Sequence, residues 1–408
     1  MAQPTIPSTF FADIKKQHTC ANLAIKYGVS IRTTQRWKKY IIDSEATPTD
    51  FVEPTVDENK LVYKQNLEIQ SLKKTISELQ SSAHNLDEIY DVLYKASKFE
   101  YQEKVLPDFS TMNEKVNGVP VLMLSDIHYS ENVNPAEVGF VNEYNSAISN
   151  TRINFTVDSA IKIILHDWTA YHTDWFVLPL IGDIVSGAIH DELAESNDKR
   201  ILVATLEIAD ILIYQIKKLK QHFNHVYVPC VVGNHGRLHK KPRAKGFVQE
   251  NYEYVVYKLI EREFSDDESV IVHVSESPDL RFDIFGKRFL MTHGNTLGGG
   301  GNGIAGILPL LYRGNYKKQE RETSVNNSYD VLLIGHYHTS LFLGKVIVNG
   351  TTKGVDEYAL NFLNIGYEPP SQNLFMVDRN FNDITYRLPI FCEPSDNIQI
   401  EHTIKTYV

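Results

Sequence analysis

The chain has 408 residues, 42% of them hydrophobic, and a formal net charge of −10. That length accommodates about two or three domains with a sizeable core, and the acidic balance excludes a polycation that coats nucleic acid by charge alone. The cysteines (Cys20, Cys230, Cys392) lie far apart, which excludes a CxxC metal knuckle and fits a reducing compartment. No basic and apolar signal segment opens the chain, and no run nears the ~18 apolar residues of a membrane span. The expectation is a soluble, cytoplasmic protein with no membrane partner.

Residues 1–44 read as a small helical domain. The string Leu23 to Trp37 places a small residue, Ala24, where two helices can cross, and Gly28 where a tight turn needs positive φ. Val29 is placed to plug the hydrophobic wedge and Ser30 to cap the second helix. That helix then presents Arg32, Thr33, Gln35 and Arg36 with Lys38 and Lys39, groups suited to phosphates and base edges. The string resembles the helix-turn-helix domains of resolvases and phage packaging proteins, which implies DNA as a partner. A generic helical hairpin with solvated Lys and Arg is the alternative.

Residues 45–57 are acidic and contain Pro48 and Pro54, a linker composition. Residues 58–100 read as a coiled coil. Within 58–96 the a/d series Val62, Gln65, Ile69, Leu72, Ile76, Leu79, Ala83, Leu86, Tyr90, Leu93 is apolar except for Gln65. Self-association, as a dimer or higher homo-oligomer, is the simplest way to bury that seam; packing against the next domain is the other. Residues 101–118 read as a second linker.

From Val119 to residue 395 the texture changes. Short β-rich runs (VPVLMLSD, WFVLPLIGD, HVYVPCVVGN, KRFLMTHG, YDVLLIGH) alternate with helical stretches at 156–170, 198–221 and 247–264, which predicts an α/β domain. Residues 341–390 read as mainly β, completing a second sheet, and 396–408 as a tail. Along these strands run Asp126-Ile127-His128, Gly182-Asp183, Gly233-Asn234-His235, His293 in Met-Thr-His-Gly, and Gly335-His336-Tyr337-His338. At strand period the pairs Asp126/His128 and His336/His338 each point one way and can grip one ion. Any one such residue is more often a cap or a surface group. The whole set, all oxygen and nitrogen donors near strand ends, reads as a site for two divalent metals.

These residues resemble the calcineurin-like metallophosphoesterase superfamily over about 119–390. The resemblance implies a four-layer fold, two β-sheets flanked by helices, here preceded by the small all-α domain and the coiled coil. It allots Asp126, His128, Asp183 and His338 to one metal, and Asp183, Asn234, His293 and His336 to the other, with Asp183 bridging. His235 is implied as catalytic and not a ligand. Mn²⁺ leads among the metals, with Fe and Zn²⁺ compatible. The implied activity is attack of a metal-bridging hydroxide on phosphate. One departure is Gly236, where many members carry an acidic residue that supports the histidine, so support for His235 must come from elsewhere.

The substrate is read from the surroundings. Arg237, Lys240, Lys241, Arg243 and Lys245 fall within nine residues after His235, a pattern that suits a phosphate backbone. Tyr312 to Lys318 is a second basic stretch, with tyrosines that could stack on bases. Gly298 to Gly303, after His293, fits a lid or a flexible connector. The leading reading is a DNA-directed phosphodiesterase, an endo- or exonuclease similar to the double-strand-break repair branch, although little chain follows His338 for the DNA-capping domain of those enzymes. Alternatives are a phosphatase or phosphodiesterase for phosphoproteins or nucleotides, and a DNA-binding adaptor with a non-catalytic phosphoesterase domain. By analogy, the domain combination suggests a bacteriophage protein acting in the host cytoplasm.

Overall fold

The structure is a computed structural model and describes residues 6–15, 19–44, 73, 104–109, 112, 115–297, 306–363 and 366–394. The chain divides into two compact units, Met1–Lys98 and Phe99–Val408. Apart from Lys73, the predicted linker 45–57 and coiled coil lie outside the described residues, as do the tail and Gly298 to Gly303.

The first unit holds helices α1 (Ser8–Lys15), α2 (Cys20–Tyr27) and α3 (Ile31–Ser44). Phe10, Leu23 and Ile41 form its small core with Ile6, and Trp37 meets Phe10 edge-on at 5.1 Å. Gly28 adopts φ 63, which lets its N–H and that of Val29 close α2 onto the Ile25 and Ala24 carbonyls. Ala24 is buried, and Ser30 Oγ accepts from Thr33 N–H at 3.1 Å, the expected cap. Arg32, Gln35, Arg36 and Lys39 are exposed. Thr33 is only half-buried, because its hydroxyl pairs with Ser30 Oγ at 2.8 Å.

The second unit is built on two sheets. The first has seven strands: β1 (Gly118–Leu122), β2 (Trp175–Val177), β3 (Leu180–Ile181), β4 (His225–Val231), β5 (Val270–Val274), β11 (Ser371–Asp378) and β12 (Asp383–Phe391). The second has five: β6 (Asp279–Ile284), β7 (Lys287–Thr292), β8 (Val331–Ile334), β9 (Leu341–Phe342) and β10 (Val346–Val348). Strand alternation sets the layers. Val119, Val121, Phe375 and Val377 of the first sheet meet Phe289, Met291, Val331 and Leu333 of the second. The alternate residues face outward. Leu122, Leu374 and Met376 pack under helices α4 (Ser146–Lys162), α6 (Ile201–Lys220) and α7 (Tyr252–Glu263). Leu290, Leu332 and Ile334 pack under Leu311 of α8 (Leu308–Ser324). The order is helices, sheet, sheet, helix, the four layers expected for 119–395.

Two expectations change. Only β9 and β10 of residues 341–390 complete the second sheet; β11 pairs antiparallel with β1 and β12 with β11, in the first sheet. The reason is that β11 is buried on both faces and so needs a central place. The stretch 101–118 is not simply a linker. Phe109 is buried edge-on to Trp175 at 5.3 Å, and Lys104 Nζ donates to the carbonyls of Phe264, Asp267 and Val270 at 2.5, 2.6 and 2.9 Å. The basic stretch 312–318 is helical, with Tyr312 and Tyr316 exposed; Lys318 is buried because its Nζ donates to Asp279 at 2.8 Å. Among the described residues, no helix is long and apolar enough to cross a membrane.

Candidate metal centre

Five strand ends converge. Asp126 and His128 follow β1, Asp183 follows β3, Asn234 and His235 follow β4, His293 follows β7, and His336 and His338 follow β8. Parallel pairing aligns these ends within each sheet: β1 with β2, β3 with β4, and β7 with β8. The pairs Asp126/His128 and His336/His338 do not sit on strands as their spacing suggested. Each of these residues, and Asp183, has positive φ: 52°, 49°, 70°, 55° and 50° in the order Asp126, His128, His336, His338, Asp183. Left-handed backbone at so many non-glycine residues is strained, and it persists here because bonds between the loops over-determine it. Asp126 N–H donates to Gly182 O at 3.1 Å, and His128 N–H to Asp183 O at 2.9 Å. Gly335 N–H donates to His293 O at 2.9 Å, and His336 N–H to Asp126 Oδ1 at 2.8 Å.

The side chains fall into overlapping groups whose donor atoms lie within 4.8 Å of one another: Asp126, His128, His338; Asp183, His293, His336; and His128, Asp183, His235. Asp183 Oδ2 stands 2.9 Å from His293 Nε2 and 4.0 Å from His128 Nε2, so one carboxylate reaches both halves. His128 Nε2 and His338 Nε2 are 3.0 Å apart, and His338 Nε2 is 3.5 Å from Asp126 Oδ1. Asn234 Oδ1 is buried and makes no hydrogen bond, and buried His293 Nε2 faces only the Asp183 carboxylate. An orphaned buried acceptor is costly in a folded protein. Here it stands beside carboxylates and imidazoles whose types suit a hard or borderline divalent cation, so the donor set fits the expected metals.

The electrostatics agree. Burial holds His128 well below its ordinary imidazole value and lowers His336 to about 4 and His338 to about 3, leaving neutral rings with a free lone pair. Burial raises Asp126 to about 7. Burial alone would raise Asp183 and lower His293, but their mutual attraction wins: Asp183 stays well below the usual carboxylate range and His293 rises to about 10. The centre thus draws in positive charge, as a proton or as a metal. Metal must displace the protons on His293 and Asp126. Divalent-ion affinity is therefore expected to rise as pH rises through about 7. Binding is expected to release protons, seen as a buffer-dependent enthalpy in titration calorimetry. A pH-independent affinity would contradict the assignment of Asp126 and His293.

His235 sits at the edge of the cluster, its ring centroid 4.5 Å from that of His128. Its N–H donates to Asp183 Oδ1 at 2.8 Å, and its Nδ1 lies 3.1 Å from Ser186 O. With Nδ1–H donated to that carbonyl, Nε2 is left to give or take a proton. The support missing at Gly236 is therefore supplied by a backbone carbonyl. Position 236 has no room for a side chain, since a Cβ there would lie 2.3 Å from Asn251 Oδ1. The nearby acid is Glu253, buried, which accepts from Gly233 N–H at 2.6 Å and Ile184 N–H at 2.8 Å and so ties the Asp183 loop to the His235 loop. Burial and the Asp183 charge raise it to about 8. Reading the sequence missed Glu253; its only trace is the helix start Asn251-Tyr252-Glu253, where Asn251 caps α7.

The basic loop is less open than its composition suggests. Arg237 is half-buried and donates to the carbonyls of His239, Asn234 and Lys240 at 2.9, 2.9 and 3.0 Å, so most of its fork staples the loop. Lys240 pairs with Asp191, and Glu250 takes His239 at 2.8 Å and Arg243 at 3.8 Å. Lys241, Arg243 and Lys245 are exposed.

No family model matches the chain, and no curated protein matches it. Among solved structures, it is similar to a conserved uncharacterised protein, a predicted phosphoesterase, from Streptococcus pneumoniae, with 11% identity over 67% of this chain and 98% of that one, TM-score 0.25. It is also similar to Vps29 complexed with zinc from Entamoeba histolytica, at 12% identity over 67% and 99%, TM-score 0.27. A dimetal phosphatase from Danio rerio has 12% identity over 67% and 99%, TM-score 0.29.

Proposed function

We propose that this protein is a dinuclear metal-dependent phosphoesterase that hydrolyses phosphodiester bonds in DNA. The observation that carries the reading is the convergence of Asp126, His128, Asp183, His235, His293, His336 and His338 from five strand ends, with Asp183 reaching both halves and the buried Asn234 Oδ1 left without a hydrogen bond. Asp126, His128, Asp183 and His338 would hold one ion, and Asp183, Asn234, His293 and His336 the other. Two divalent ions, Mn²⁺ first and Fe or Zn²⁺ next, would lower the pKa of water and polarise the phosphoryl oxygens. His235 holds its ring through Ser186 O and offers Nε2 to the leaving oxygen. Glu253 keeps the loops of Asp183 and His235 in register.

DNA is favoured by the exposed Arg32, Gln35 and Arg36 on α3, with Thr33 beside them, and by Lys241 and Arg243 on the loop after His235. Arg237 and Lys240 would join them with the N–H groups their internal bonds leave free. Pairing of two chains through residues 58–96 would bring two α3 readers to one duplex. A second reading, a phosphatase or phosphodiesterase for phosphoproteins or nucleotides, is favoured by the partial neutralisation of the loop by Asp191 and Glu250.

The deciding assay offers Mn²⁺-loaded protein linear, nicked and single-stranded DNA beside p-nitrophenyl and bis-p-nitrophenyl phosphate. Metal-dependent DNA cleavage, abolished by chelation, is the expected result. Ester turnover with intact DNA would support the second reading, and no turnover with any metal would leave a DNA-binding adaptor. Replacing Lys240, Lys241 and Arg243 together with alanine should weaken DNA binding. The log–log salt slope should become shallower by about 1 to 3, roughly 0.9 for each phosphate that is no longer neutralised. Unchanged binding by fluorescence anisotropy would remove the loop from the DNA surface.

A further inference from the structure

Behind His128, on the side away from the other donors, lies a buried charge cluster that the proposed chemistry does not use. His128 turns its Nε2 toward His338 and Asp183. Its Nδ1 faces Glu131 Oε2 at 3.5 Å, and both atoms are buried without a hydrogen bond. A turn closed by Glu131 N–H on His128 O at 3.0 Å sets this His-x-x-Glu geometry. The other oxygen, Glu131 Oε1, accepts from Lys353 Nζ at 2.8 Å. Lys353 is buried and also pairs with Asp356, whose Oδ1 accepts from Ala359 N–H at 2.6 Å at the start of α9 (Glu357–Asn361).

The Lys353 backbone is fixed as firmly as its side chain. Its carbonyl accepts from Arg152 Nη1 at 2.8 Å and Asn142 Nδ2 at 2.9 Å. Its N–H donates to Thr351 Oγ1 at 3.0 Å, and that hydroxyl donates to Asp126 O at 2.7 Å. These bonds therefore reach Asp126 and His128. Among the described residues, no bond of Glu131 or Lys353 goes to Asn234, His293 or His336.

A lysine and a carboxylate buried together are a poor device for stability alone, because desolvating both charges offsets their attraction. A carboxylate aimed at the far nitrogen of a metal-facing imidazole is a good device for setting that ring's tautomer, orientation and donor strength. We propose that Glu131, fixed by Lys353, is a positioning residue that holds His128 with Nε2 toward the ion shared by Asp126, Asp183 and His338. This rests on the dinuclear reading above, and it makes the two ions unequal in their dependence on Glu131.

The test is Mn²⁺ titration of the full chain, wild type against Glu131→Gln, which keeps the shape of the side chain and removes its charge. Wild type should bind two ions. The variant should bind one with unchanged affinity and the other about 10- to 100-fold more weakly. Two ions with wild-type affinities in the variant would overturn this inference and leave the dinuclear reading standing. Equal weakening of both would mark Glu131 as structural only and overturn it as well. A wild-type chain that binds no divalent ion would overturn the dinuclear reading and this inference with it. The wild type also carries the test alone, should the variant not fold. In ¹⁵N-histidine spectra of the Zn²⁺-loaded chain, His128 should show a protonated, hydrogen-bonded Nδ1, and a bare Nδ1 would overturn the proposal.

Discussion

Asp183→Asn is expected to reduce turnover by at least about 10³-fold on every substrate the protein cleaves. Among the described residues, Asp183 is the one carboxylate within reach of both donor groups, and it is fully buried. The amide keeps the shape but removes the charge that two cations would share. It also removes the charge that does most to lift His293 above its ordinary value against the opposing pull of burial. The variant should therefore fold, keep at most one tightly bound ion by elemental analysis, and fail in steady-state assays with bis-p-nitrophenyl phosphate. Activity within tenfold of wild type, with both ions retained, would show that Asp183 does not bridge.

The His235→Ala variant should keep both ions and lose about 10²- to 10⁴-fold in turnover. The hydrogen bond that His235 makes to Asp183 comes from its backbone N–H, which alanine retains. What alanine removes is the ring, held at Nδ1 by Ser186 O with Nε2 as its other nitrogen. An acid that protonates the leaving oxygen matters most when that oxygen leaves as a poor leaving group. The loss should accordingly be larger with DNA than with nitrophenyl esters, whose phenolate leaves without help. His235 also lies within ligand distance of His128 and Asp183. Loss of an ion in the alanine variant would therefore make His235 a ligand and refute its assignment as the catalytic residue.

The donor residues were legible in the sequence because each follows an apolar run that ends a buried strand. Asp126, His128, Asp183, His293, His336 and His338 fall into overlapping donor groups, on two sheets covered by helices. Strand alternation, however, is not what joins the pairs. Asp126 and His128 meet through left-handed backbone beyond the strand, and the same backbone conformation sends His338 to their group and His336 to that of Asp183 and His293. Long-range pairing was also out of reach. Nothing local to Ser371–Asp378 says that it lies beside Gly118–Leu122, and that adjacency brings Gln372 to Ser125 N–H at 2.9 Å next to Asp126.

The supporting residues were invisible for a different reason. Glu131, Glu253 and Lys353 are single polar residues whose meaning depends on what burial places around them. Gly236 said only that support for His235 must come from elsewhere, and it comes from a carbonyl of the Asp183 loop. The basic loop looked freer in sequence than it is, because Asp191 and Glu250 meet it only in three dimensions.

The most direct measurement is anomalous diffraction from crystals of the protein soaked in Mn²⁺. Two peaks flanking Asp183 are expected, one among Asp126, His128 and His338 and the other among Asn234, His293 and His336. A single peak, or none with these side chains ordered, would contradict the dinuclear reading.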